Sequence, residues 1–173
     1  MSSLTKPIFS MRVMTADDLD NVLAWRNHPD VRRYMYTQHE ITLSEHRGWF
    51  ERSSLDPRKH LLVFEADGTA VGFVNITELA TPGIADWGFY IAPDAVKGTG
   101  QHLGRAALNY AFQTLRLHKV CGQALGFNDR SIKFHRNLGF CHEGTLRDQH
   151  YDGENYHSVI CFGLLSPEWQ PTI

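Results

Sequence analysis

The sequence is short of the features that would place it in several common classes. It has only three cysteines, Cys121, Cys141 and Cys161, an odd number at wide spacing with no Cys-x-x-Cys pair. That excludes a disulfide framework and argues against a structural zinc site. Ten histidines are present, yet none stands in a His-x-His or His-x-x-x-His pair, so no metal site is expected. No apolar run approaches the roughly 18 residues that span a bilayer. The opening Met1-Ser2-Ser3-Leu4-Thr5-Lys6-Pro7 lacks the charged-then-apolar layout of a secretion signal. Neither charge dominates: 17 Lys and Arg face 19 Asp and Glu, a net charge of −2. A nucleic-acid binder normally carries a basic face, and this balance argues against one. No repeat, low-complexity tract or Pro/Gly/Ser-rich linker divides the 173 residues. The expectation is one cytoplasmic domain over residues 1–173, with reduced thiols and without a nucleic-acid or membrane partner.

What is present is a mixture of short alternating runs and amphipathic stretches. Ile8 to Met14 alternates and reads as a strand. Thr15-Ala-Asp-Asp then starts a helix that follows Leu19, Val22, Leu23 and Arg26 to Asn27-His28-Pro29. A second helix begins near Thr42, with Ser44 as its expected cap and Trp49 and Phe50 in its apolar stripe. Asp67-Gly68 joins the strands His60–Glu65 and Ala70–Leu79 as a hairpin. Ala85–Ile91 is a further strand, and a helix runs from Gly100 to about Leu117. Lys119–Phe127 reads as a strand and Asp129–Leu138 as a short helix. Two closing strands, near Phe140–Tyr151 and Asn155–Leu165, meet at Asp152-Gly153. Strands and helices interleave in this way around one sheet, an α/β domain of three layers.

Two sites carry chemistry. Lys97-Gly98-Thr99-Gly100 sits between a strand and a helix, followed by Gln101 and His102. Exposed amides and the positive end of the helix dipole make such a turn an anion site. It is neither a Gly-x-Gly-x-x-Gly fingerprint nor a P-loop. After the next strand comes Asn128-Asp-Arg-Ser131-Ile-Lys-Phe-His135-Arg-Asn-Leu138-Gly139-Phe140, then Glu143-Gly144.

This second stretch resembles the closing signature of the GCN5-related N-acetyltransferases: Asn-x-x-Ala/Ser, an aromatic-Tyr pair, then Leu-Gly-Phe. With Gly98-x-Gly100 upstream, the resemblance covers the chain from about Met11 to Leu165. It implies the GNAT fold, with a central mixed β-sheet in which two strands splay at a bulge. It also implies acetyl-CoA as cosubstrate. The pantetheine arm would lie along Trp87 to Ile91 with Phe89, Tyr90 and Ile91 as backbone partners. Gly98, Thr99, Gly100 and Gln101 would hold the pyrophosphate, while Asn128 and Ser131 belong to the pantetheine side. The family's proton donor is normally tyrosine, and His135 stands there; a histidine titrates near neutrality and is chemically suited to the task. Ala95 departs from the Gln or Arg usual three positions before the first glycine. A rival register, Gln101-x-x-Gly104-x-Ala106, falls a turn inside the helix. The general base is unassigned, with Glu78 and Asp86 both flanking the central strands.

The front half looks like the PseH-type sugar-nucleotide N-acetyltransferases, on Trp25-Arg26-Asn27, Tyr34-Met35-Tyr36, Glu45-His46, Tyr110-Ala111-Phe112 and Leu117-His118-Lys119. That resemblance implies acetylation of the 4-amino group of a UDP-linked 4-amino-4,6-dideoxy sugar, on the route to pseudaminic acid and flagellin glycosylation. Arg26 suits a phosphate, and Met35 and Tyr36 suit a base or a deoxy-sugar methyl. His46, Thr77 and Tyr90 would line the rest of the substrate pocket. Ribosomal-protein N-terminal and polyamine acetyltransferases share much of the pattern, and a coenzyme-binding module without catalysis is the non-enzyme alternative. The assembly expected is a monomer or a homodimer.

Overall fold

Leu61, Leu62, Val63 and Phe64 are all buried, and successive residues serve opposite cores. Only a sheet covered on both faces does this, because side chains alternate along a strand. Leu61, Val63 and Phe73 pack with Met14, Leu19, Val22 and Trp25 on one face. Leu62, Phe64, Val74 and Ile76 pack with Leu103, Ala107 and Leu108 on the other.

The computed structural model describes residues 6–171; the reading of the first five residues as no secretion signal lies outside them. Strand β1 (Phe9–Val13) leads through a 3-10 turn to α1 (Leu19–Asn27), followed by α2 (Pro29–Arg32) and α3 (Leu43–Leu55). Strands β2 (Lys59–Ala66), β3 (Thr69–Glu78) and β4 (Ile84–Ile91) form a meander. Then come α4 (Thr99–Asn109), β5 (Lys119–Leu125), α5 (Asp129–Asn137), β6 (Cys141–Tyr151) and β7 (Tyr156–Leu165). The seven strands lie in the order β1-β2-β3-β4-β5-β7-β6. Every pair is antiparallel except β4 with β5. The fold is the α/β GNAT fold, with helices on both sides of a mixed sheet.

Two local expectations are corrected and a third is extended. Thr42, not Ser44, caps α3: its Oγ1 accepts from the Glu45 N–H at 3.2 Å while the Glu45 carboxylate accepts from the Thr42 N–H at 2.7 Å. This reciprocal box ties down two of the helix's free amides. Pro29 ends α1 as expected but also starts α2, at a first-turn position where its missing N–H costs nothing. The helix expected to reach Leu117 loses α geometry at Tyr110 and closes with a π turn, Leu115 N–H to Tyr110 O at 3.0 Å.

The feature that positions the site is where β4 and β5 stop pairing. Their parallel ladder covers only Ile84–Asp86 against Lys119–Cys121. Beyond it β4 stays with β3 as far as Ile91, and β5 stays with β7 as far as Leu125. The sheet is therefore splayed from Trp87 and Gly122 onward. No bulge accompanies this on β4, whose register with β3 runs without a shift from Ala85 to Ile91.

Candidate active site

The ladder between β3 and β4 fixes which backbone groups face the gap. Ala92 N–H donates to Val71 O at 2.8 Å, which places that pair at a hydrogen-bonded position of the ladder. Antiparallel pairs alternate, so Tyr90 bonds to Phe73 while Phe89 and Ile91 turn their N–H and C=O groups away from β3, toward β5. Since β5 has already diverged, those groups have no strand to meet. Of the three residues expected to offer backbone groups here, Phe89 and Ile91 have theirs turned to the gap. Tyr90 does not, because its main chain is committed to Phe73.

The turn before α4 lies at the end of β4. Gly98 caps the helix with φ of +98°, a left-handed conformation that favours glycine. Thr99 N–H donates to Val96 O at 3.1 Å, and Gln101 N–H donates to Gly98 O at 3.1 Å. The Thr99 hydroxyl also donates to Val96 O, at 2.6 Å. Thr99 and Gln101 therefore hold the turn together with their amides. Gly98 and Gly100 are the ones whose N–H groups have no backbone acceptor among the described residues. The rival register is a packing feature: a Cβ on Gly104 would lie 2.6 Å from Leu138 Cδ1 and 2.8 Å from Phe134 Cζ. Gly104 lets α4 close on α5.

Asn128 caps α5 by accepting from Ser131 N–H at 3.1 Å, which leaves its Nδ2 without a protein partner among the described residues. His135, one turn on, departs from the expected proton donor. It is 1% exposed. Its Nδ1 lies 2.8 Å from the Ser131 carbonyl, and its Nε2 lies 3.1 Å from Trp87 Nε1. Burial lowers its pKa below the ordinary histidine value, against the opposing pull of the Ser131 carbonyl. Both nitrogens are engaged inside the protein, so neither has a face open to a departing thiolate.

On the opposite side of the sheet, beyond the part that α1 and α3 cover, a row of residues with Asp86 exposed at its centre crosses the strands at the fork. Thr77 stands opposite Asp86, Asp86 opposite Cys121, and Cys121 opposite Gly163. Burial raises the Asp86 carboxyl above its ordinary range. The Tyr36 hydroxyl donates to Gln123 Oε1 at 2.7 Å, so the segment after α2 straps across to β5. Burial, with Cys161 and Asp86 adding to it, raises the Tyr36 phenol. Tyr36 also packs on the ring of His150, whose Nε2 is buried without a partner among the described residues.

Arg26 projects beside Tyr90. Its Nη2 donates to Thr37 O at 3.1 Å, and its Nη1 is buried with no partner among the described residues. Burial lowers its pKa, Tyr90 acts in the opposite sense, and Arg32 adds to the lowering. Burial likewise lifts the Tyr90 phenol above its usual range, with Arg26 pulling it back. Met35 lies half-buried in the same segment as Tyr36. His46 does not join this group. It is 4% exposed and stacked on Trp49 at 5.1 Å, inside the α1–α3 packing. Gln123 and His150 are the residues the sequence reading missed. The alternation of Lys119, Cys121 and Gln123 on one face of β5 was the signal for the first. Among the described residues no three His, Cys, Asp or Glu side chains cluster as metal ligands, and no helix is long and apolar enough to cross a membrane.

Comparisons with known proteins agree with this geometry. Residues 9–141 match the model of the acetyltransferase (GNAT) domain. The acetyltransferase PseH of Campylobacter jejuni is 28% identical over 149 residues, covering 86% of this chain and 87% of that protein. The spermidine N(1)-acetyltransferase of Escherichia coli is 26% identical over 152 residues, 87% of this chain and 82% of its own. The crystal structure of spermidine N-acetyltransferase from Vibrio cholerae, in complex with CoA and spermine, superposes with a TM-score of 0.86. It has 22% identity and covers 92% of this chain and 96% of that one. A splayed sheet with a glycine-capped helix at its mouth, and a family match over most of the chain, lead to one conclusion: this protein belongs to the GNAT family and is an acetyl-CoA-dependent N-acetyltransferase.

Proposed function

We propose that the protein acetylates the 4-amino group of a UDP-linked 4-amino-4,6-dideoxy sugar, the reaction implied by its resemblance to the PseH-type enzymes. When bound, acetyl-CoA supplies the acetyl group as a thioester. The residues present fit it. Phe89 and Ile91 offer unpaired backbone groups along the gap, which an extended arm pairs with as an added strand. Gly98 and Gly100 offer amides at the positive end of α4 for a pyrophosphate, with Thr99 and Gln101 bracing the turn. Asn128 Nδ2 donates to the arm, and Ser131 keeps the Asn128 carbonyl oriented.

On the other side of the sheet, Asp86 is the base. An ammonium must lose a proton before it attacks, and a carboxylate with a raised pKa is a better acceptor than an ordinary one. Asp86 would take the ammonium proton and release it to solvent. The amine nitrogen would then bond to the thioester carbonyl carbon as the carbon–sulfur bond breaks, and the proton remaining on nitrogen would go to the departing thiolate, which leaves as the free thiol. Thr77, next to Asp86, and the Tyr36 strap with Met35 and Tyr90 complete the acceptor cleft.

Arg26 carries the substrate assignment. A half-buried guanidinium with one nitrogen that has no partner and no carboxylate beside it among the described residues is an expensive arrangement unless an anion completes it, the nearby Arg32 being already paired with Glu40 at 3.6 Å. A diphosphate is such an anion. A polyamine would meet Arg26 with like charge, which disfavours the spermidine reading despite its comparable sequence identity. Coenzyme thiol release, measured with the UDP-4-amino sugar, with spermidine and with a ribosomal N-terminal peptide, tests this. Turnover with the sugar nucleotide alone is expected; turnover confined to spermidine or to the peptide overturns the assignment.

A further inference from the structure

Trp87 and His135 meet at the point where the sheet splits. An indole nitrogen only donates, so the 3.1 Å contact makes His135 Nε2 the acceptor. The ring proton therefore sits on Nδ1 and is given to the Ser131 carbonyl at 2.8 Å. The imidazole lies flat against Phe162 of β7, with centroids 4.7 Å apart and planes 5° apart. Phe89, Phe134 and Phe140 close the remaining sides. Beneath both rings runs β5 at Gly122. A Cβ there would stand 2.5 Å from His135 Nε2 and 2.7 Å from Trp87 Nε1.

The register makes this location meaningful. The parallel ladder advances through Ile84–Lys119, Ala85–Val120 and Asp86–Cys121, so Trp87–Gly122 is the next rung, and it is missing. In its place the indole leans across β5, held by a hydrogen bond to a helix on the far side. The space above Gly122 that a β5 side chain would fill is taken by a donor from β4 and an acceptor from α5.

We propose that the Trp87–His135 hydrogen bond over Gly122 is a positioning wedge that sets the opening between β4 and β5, and so the placement of the Phe89 and Ile91 backbone groups. His135 acts through Trp87 and exchanges no proton in the reaction. The inference rests on the reading of that gap as the coenzyme's seat. Loss of the bond lets β4 shift at the fork, which misaligns the backbone donors and acceptors two and four residues further on. Coenzyme affinity suffers first, and the chemical step, built on the other face of the sheet, suffers little.

The test uses the full chain and three variants: Trp87→Phe, His135→Phe and His135→Gln. Each is checked for folding by its thermal transition, and read by calorimetric acetyl-CoA affinity, by kcat and KM, and by the pH dependence of kcat. Trp87→Phe and His135→Phe are expected to weaken coenzyme binding about tenfold, with kcat within about threefold of the parent. His135→Gln keeps an acceptor for Trp87 and a donor for Ser131, and is expected to recover affinity to within about twofold. The kcat–pH profile stays the same in all three. Coenzyme affinity unchanged in a folded Trp87→Phe protein overturns the wedge. So does a fall in kcat of about a hundredfold in His135→Phe with a lost pH limb, which returns the residue to proton transfer. A parent protein that binds no acetyl-CoA overturns the underlying reading of the gap instead.

Discussion

Asp86 stands opposite Cys121 on the last rung that β4 shares with β5. One residue further along, the strands part around Trp87 and Gly122. The proposed base and the proposed wedge are thus consecutive residues of one strand, pointing to opposite faces of the sheet. A strand alternates its side chains, so a single fork serves coenzyme placement on one face and the acceptor amine on the other.

Asp86→Asn isolates the acceptor face. The side chain is outside both cores, so the thermal transition should hold close to that of the parent. Turnover should fall by about 10²–10⁴, the usual contribution of a positioned base. Burial raises the Asp86 carboxyl, and a base works only when deprotonated. The acid limb of kcat in the parent should therefore lie above the ordinary aspartate range and vanish in the variant. A limb that survives in Asp86→Asn assigns the base elsewhere.

Arg26→Met separates binding from stability. Removing the guanidinium takes away the proposed phosphate contact, and KM for the sugar nucleotide should rise about ten- to a hundredfold. It also removes a buried cation with an empty nitrogen, so the variant should melt no earlier than the parent. Loss of stability at unchanged KM would make Arg26 a structural strut that holds the Thr37 carbonyl.

Two glycines of the α4 turn should respond differently to the same methyl group. Gly98 has a φ of +98° and open space around it, so Gly98→Ala costs about 1–2 kcal/mol of backbone strain with no clash. Gly100 has an ordinary φ, and a Cβ there would meet Phe134 and Ile91 at 3.9 and 4.0 Å, normal contact. Gly100→Ala should fold with an unchanged melting temperature, yet crowd the approach to the free amides and raise KM for acetyl-CoA. Equal KM values in Gly100→Ala and parent would move the pyrophosphate off this turn.

These residues also mark how far the sequence is legible. Periodicity and the Asp67-Gly68 and Asp152-Gly153 turns are local signals, and the strands they bound lie within a residue or two of expectation. The Gly98 turn is local too. What local signals miss is who meets whom across the chain. Tyr36 reaches Gln123 over a separation of 87 residues, and Trp87 reaches His135 over 48. A histidine at the family's tyrosine position suggests chemistry as long as its neighbours are unknown. Once Trp87, Ser131 and Phe162 surround it, the same residue is packed and tautomer-locked. His46 fails for the same reason: a polar residue in an amphipathic helix gives no sign of being turned inward under Trp49.

The two buried histidines set an acid limit on stability. Burial lowers the pKa of His46, against the Leu19 carbonyl and Asp20, and lowers that of His135, against the Ser131 carbonyl. In the unfolded chain both return to about 6.5. A base with a depressed folded pKa binds fewer protons in the native state, so stability falls as pH drops below about 6.5 and is insensitive to these groups above about 7.5. The Asp18 carboxyl acts in a separate, lower window. Arg12 holds its pKa below the ordinary aspartate value, so that stability is lost only as pH falls through and below the aspartate range. Denaturant midpoints measured between pH 8 and pH 5 should be flat at first and then decline below neutrality. His135→Gln should reduce the slope of that decline, because Gln carries no titrating proton while keeping the bonds to Trp87 and Ser131. A decline of undiminished slope in that variant would trace it to His46 or to groups elsewhere, and would mean that burial at the fork does not hold the imidazole neutral.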